Sequence, residues 1–85
     1  MPNDFLSKSE KIILENISNE QFGVSELAEA LHMSRSNLLR KIKKATNLSA
    51  SQYIRKIRLK EAMELLKNGN LNVSEVSYQV GFGSA

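Results

Sequence analysis

The 85-residue sequence predicts an all-α protein, and three features carry that prediction. Apolar residues recur at intervals of three and four, and no stretch alternates at period two for long enough to make a strand. The sole proline, Pro2, lies outside every candidate helix. Finally, VSELAEALHMSRS at residues 24–36 superposes without a gap on VSEVSYQVGFGSA at residues 73–85.

Each element follows from local signals. Asp4 is expected to cap a first helix whose Phe5, Leu6, Ile12, Ile13 and Ile17 keep an apolar stripe on one face. Ser18-Asn19-Glu20 and Gly23 end it, and Ser25 is the expected cap of a short second helix with Leu27, Ala28 and Leu31 turned inward. A third helix starts at Ser34, buries Leu38 and Ile42 and stops at Thr46-Asn47. Ser49 or Ser51 caps a long fourth helix running to Lys67 and closed by Asn68-Gly69-Asn70. Its apolar positions are Ile54, Ile57, Ala62, Leu65 and Leu66. A fifth, short helix is expected from about Ser74 to Gly81.

Composition narrows the function classes. A chain of this size makes one small domain with a modest core. Without cysteine it has neither disulfides nor thiolate zinc sites. No apolar run approaches the roughly 20 residues of a membrane span, and Met1-Pro2-Asn3-Asp4 does not read as a signal peptide. A cytoplasmic module without membrane contact of its own is therefore expected. The net charge of +3 is unevenly distributed. Residues 1–33 hold Lys8 and Lys11 against six acids, a net −4, whereas residues 34–67 hold ten basic side chains against Glu61 and Glu64, a net +8. An acidic first third beside a basic middle fits a surface for a polyanion, or two ordinarily solvated helix faces.

The repeated unit is a helix of about seven residues, a tight turn and a second helix, the helix-turn-helix arrangement. Ala28, or Ser77 in the second copy, is small enough for a steep helix crossing. The turn needs a residue tolerant of positive φ, and His32 and Gly81 occupy that place. His32 is thereby read as a turn residue: with no cysteine and no second histidine, it has no partners for a metal site. In the third helix, Arg35, Arg40, Lys41, Lys43 and Lys44 are unaccompanied by any acid. With Leu38 and Ile42 inward, the exposed arc carries Arg35, Ser36, Leu39, Arg40 and Lys43. A helix fits the DNA major groove with its N-terminal residues at base edges. Arg35, Ser36, Leu39 and Arg40 are the expected base contacts, while Ser34, Lys41, Lys43 and Lys44 are assigned to phosphate. An acidic protein partner for the same basic helix is the alternative. Catalysis is not expected: no nucleophile has a base beside it, and Gly81-Phe82-Gly83 is explained by the turn. No cofactor and no metal are implied.

The motifs LHMSRSNLLRKIK, QYIRKIRLKEAMELL and VSEVSYQVGFGS, in this order, resemble the DNA-binding region of AraC/XylS-type transcriptional regulators. The resemblance runs from about Asp4 onward. It is strongest to the domain that ends bacterial hybrid two-component proteins, in which sensor kinase and response regulator share a chain. It implies a homeodomain-like fold of two helix-turn-helix units joined by a linker helix, reading successive major-groove segments of duplex DNA. The kinase chemistry, and an inner-membrane anchor, would belong to the parent protein. The implied division is a first unit with its leading helix at 4–47, the linker at 48–69 and the start of a second unit at 70–85. The family's base-reading positions fall on Ser36, Leu39 and Arg40, with Arg35 beside them. Arg55 and Arg58 match basic linker positions, where DNA-backbone contact and structural pairing both fit, and the resemblance assigns Arg55 to phosphate. For Arg58 the pairing includes an intrahelical ion pair with Glu61 or Glu64. Lys56 and Lys60 read as solvated. Family members continue after GFGS with a second reading helix, whereas this sequence stops at Ala85. Exposed Val76, Val80 and Phe82, fraying or self-association of residues 72–85, and weak, salt-sensitive DNA binding are the expected consequences.

Overall fold

The computed structural model describes residues 4–82, and among these it contains five helices and no strand. They are α1 (Asp4–Glu15), α2 (Val24–Ala30), α3 (Arg35–Thr46), α4 (Ala50–Lys67) and α5 (Val73–Gln79). Helix α4 is the centre of the arrangement, packing on α1, α2, α3 and α5.

The helix ends show how short-range chemistry sets these boundaries. The Ser34 hydroxyl accepts from the Asn37 N–H at 3.1 Å and starts α3. Asn47, at φ 62°, ends it, its N–H bonding to the Lys43 carbonyl at 2.8 Å. Ser49, not Ser51, caps α4: its hydroxyl accepts from the Gln52 N–H while the Gln52 side chain accepts from the Ser49 N–H. Two caps fall on residues the sequence reading does not name as caps. Helix α2 begins one residue before Ser25 because the Glu26 carboxylate accepts from the Gly23 N–H at 2.8 Å, so a glycine without a side-chain acceptor takes the cap position. Helix α5 is capped by Asn72, which exchanges hydrogen bonds with Glu75 at 2.9 and 3.0 Å. Asp4 lies inside the first turn of α1 rather than before it.

The main core joins Ile13 of α1, Phe22, the inner faces of α2 and α3 (Leu27, Ala28, Leu31, Leu38, Ile42) and the first half of α4 (Ala50, Tyr53, Ile54, Ile57). Phe5, Leu6, Ile12, Ile17 and Met33 pack around it, half-buried. The second half of α4 is less enclosed: Ala62 and Leu65 are half-buried, while Leu59, Met63 and Leu66 face outward.

The repeat holds at the level of single hydrogen bonds. Around the first turn, Leu31 N–H bonds to the Leu27 carbonyl, His32 N–H to Glu29 and Met33 N–H to Ala28. Around the second, Val80 bonds to Val76, Gly81 to Tyr78 and Phe82 to Ser77, the same three links. The turn residues His32 and Gly81 stand at φ 56° and 83°, as their sequence positions require.

One expectation is overturned here. Val76 and Val80 are not exposed: they are 2% and 0% accessible, because α5 folds back onto α4. Phe82 is half-buried. The apolar side chains open to solvent in this half are instead Leu59, Met63 and Leu66 of α4 and Val73 and Tyr78 of α5. Of the segment expected to fray, Gly83, Ser84 and Ala85 lie outside the described residues.

Of the two roles open to Arg58, structural pairing is the one found, though not as an ion pair. It forms no ion pair with Glu61 or Glu64 and is only 5% exposed. Its Nη1 donates to the carbonyls of Ile17 and Val80, both at 2.6 Å, and its Nη2 to those of Asn19 and Phe22, at 3.0 and 2.9 Å. Burial lowers its pKa from the ordinary arginine value, but four carbonyl dipoles satisfy its Nη hydrogens. Among the described residues no helix is long and apolar enough to cross a membrane.

Candidate nucleic-acid interface

Helix α3 is anchored by Leu38 and Ile42, both fully buried. At 100° per residue, Ser36, Arg40, Lys43 and Lys44 fall on the opposite arc, and all four are exposed. Leu39 lies on one flank at 40% exposure, and Arg35 opens the helix directly after its cap. The structure therefore brings eight of the nine expected contact residues together on α3 and Ser34. Arg55 is apart from them on α4, exposed beside a 220 Å³ cleft also lined by Gly23, Val24, Ser51, Ile54 and Phe82.

The cations expected to meet DNA differ in what already engages them. Arg35, Lys44 and Arg55 have no side-chain partner among the described residues. The Lys43 ammonium donates to the Asn47 carbonyl at 3.2 Å, closing the C-terminal turn of α3. Lys41 is turned toward α1, its ammonium 5.3 Å from the centre of the Phe5 ring. The Arg40 Nη2 donates to the Asn37 side-chain carbonyl. That contact adds Asn37 to the exposed arc, a residue the sequence reading passed over. Its signal was a polar pair spaced i, i+3, which places the two groups side by side on a helix. The pairing steers the guanidinium, and both side chains keep further donors on exposed residues.

No acid lies on α3, so the arc presents uncompensated positive charge above an apolar base. Such an arrangement can neutralise phosphate, and Arg40 with Asn37 offers the donors and acceptor that read base edges. Among the described residues no cluster of His, Cys, Asp and Glu could hold a metal ion. A 590 Å³ groove along α4 is lined by Leu48, Leu59 and Met63 together with Arg55, Lys56 and Lys60.

Comparison with known proteins agrees with this geometry. The family model described as a helix-turn-helix domain matches residues 27–85, more than half of the chain. Histidine kinase P4 of Formosa agariphila is 46% identical over 79 residues, which cover 93% of this chain and 6% of that protein. The Msm operon regulatory protein of Streptococcus mutans is 37% identical over 76 residues, covering 85% of this chain and 27% of its own length. The chain thus spans only a small part of these relatives. Among solved structures, the C-terminal domain of AraT, a response regulator from Geobacillus stearothermophilus, superposes with a TM-score of 0.81 at 27% identity. That match covers 96% of this chain and 68% of the other. The basic arc on a capped third helix, the repeated turn and these relatives have one common explanation: the chain belongs to the AraC-type helix-turn-helix family of DNA-binding transcription regulators.

Proposed function

We propose that this chain is the DNA-reading output of a two-component phosphorelay protein, with α3 seated in the major groove of its operator. Arg35, Ser36, Leu39 and Arg40 meet base edges there. Ser34, Lys41, Lys43, Lys44 and Arg55 meet phosphate. The observation that carries this reading is the exposed, acid-free arc of α3, held rigid by Leu38 and Ile42 and capped at both ends. Arg40 matches guanine O6 and N7, Ser36 is an adaptable partner, and Leu39 suits a thymine methyl. The phosphorelay setting is supported by the names of relatives: one is a histidine kinase, and one structural neighbour is a response-regulator domain.

The test is a binding-site selection from random duplex DNA at two salt concentrations, repeated with Arg40→Ala. The reading expects an enriched site whose guanine preference at one position is relaxed by that substitution. Selection of no common sequence, together with retention of an acidic protein in the presence of excess duplex DNA, would refute it.

A further inference from the structure

We infer that Arg58 and Gly81 form a joint that fixes the direction of α5 relative to α3, making Arg58 a positioning residue for whatever surface the second unit presents. The inference goes beyond DNA reading by α3 and rests on the same two-unit architecture. Arg58 spends all four Nη hydrogens on carbonyls, three in the α1–α2 connection and one at the end of α5. It therefore ties the second turn to the first unit through one planar group.

Gly81 shows how close that tie is. A β-carbon there would stand 1.9 Å from Arg58 Nη1 and 2.5 Å from the Ile17 carbonyl oxygen. Both positions are excluded by van der Waals contact, and the Ile17 oxygen belongs to the backbone. The equivalent turn in the first unit carries His32 at nearly the same φ. Positive φ alone thus does not demand glycine at this place in the motif. Glycine at 81 is demanded by the approach of Arg58, which has no counterpart at His32. The joint is also specific to arginine. A lysine ammonium at position 58 has three donors on one atom and cannot span four carbonyls that the fork reaches from two nitrogens.

The absence of cysteine makes the test direct. Spin labels at Lys44→Cys on α3 and Tyr78→Cys on α5, both exposed sites, report the separation of the two units by pulsed electron resonance. The parent chain and His32→Gly are expected to give the same narrow distance distribution. Gly81→Ala and Arg58→Lys are expected to shift its main distance and broaden it, while circular dichroism retains the α1–α3 helices. If Arg58→Lys does not fold, Gly81→Ala decides alone. An unchanged narrow distribution in Gly81→Ala overturns the joint, as does broadening in His32→Gly equal to that in Gly81→Ala. Because the distances are read without DNA, loss of operator binding would leave this result standing.

Discussion

Replacing Lys44 by alanine isolates the electrostatic half of the proposed interface. Lys44 is exposed on the outer arc of α3 and has no partner among the described residues, so its charge is free to meet phosphate. Four cations are assigned to phosphate: Lys41, Lys43, Lys44 and Arg55. If each neutralises one phosphate, the logarithm of affinity falls against the logarithm of salt concentration with a slope of about −3.6. Removing Lys44 reduces the steepness by about 0.9. Over a fourfold rise in salt the gap between parent and variant then narrows by a factor of about 3.5. Fluorescence anisotropy of a labelled duplex, titrated at several salt concentrations, reads this directly. Lys41→Ala serves as the contrast, since its ammonium is partly committed to Phe5, and its slope change is expected to be smaller. Parallel salt lines for parent and Lys44→Ala would refute the assignment. So would a loss confined to one DNA sequence, because phosphate contact carries no sequence information.

Arg40→Ala is expected to cost about 1–3 kcal/mol of discrimination at one base pair, measured by competition between operator variants, with little effect on the salt slope. Ser34→Ala removes the acceptor for the Asn37 N–H and is expected to lower stability by about 1 kcal/mol in urea unfolding, with Ser34→Gly costing less. Ile42→Ala empties a fully buried site beneath the reading arc and should cost about 2–5 kcal/mol in the same assay, loosening α3 before any DNA contact is altered. Tyr53 tests the pH response. Burial, and secondarily the charge of Glu10, raise its hydroxyl pKa above 10.0. The folded value exceeds the unfolded one, so the associated stability is complete below pH 10 and is lost as pH rises through the folded value. Unfolding midpoints followed into alkali should fall for the parent and fall less for Tyr53→Phe.

The elements that depend on neighbours in sequence were legible from the sequence. Ser34, Asn47 and Ser49 act within three or four residues of themselves, and each appears where its side chain predicts. The equivalence of His32 and Gly81 was legible because a repeat displays its own constraints twice. Most of the exposed arc followed from periodicity alone, since Leu38 and Ile42 dictate which side of α3 remains outside. Arg58 was not legible in this way. Its acceptors are backbone carbonyls, which every residue possesses, so no residue type in the sequence marks them. The nearby Glu61 and Glu64 offered a local pairing that the fold does not use. The burial of Val76 and Val80 was missed for a related reason: it depends on where α4 lies, not on the pattern within α5. The Gly23 cap was missed because the acceptor there belongs to Glu26, three residues later.

The reach of Arg58 also bears on how the chain folds as it is made. Helices α1, α2 and α3 are complete as stretches of sequence by Thr46, and their local signals act at once. The carbonyls of Ile17, Asn19 and Phe22, however, wait for a donor that arrives 41, 39 and 36 residues later. The core beneath them likewise waits for Tyr53, Ile54 and Ile57. The Arg58 hydrogen bonds to these carbonyls therefore cannot form in a nascent chain before position 58 has been made. The α1–α2 connection is thus closed by contacts of long sequence separation, whereas the two ends of α3 are set within three or four residues.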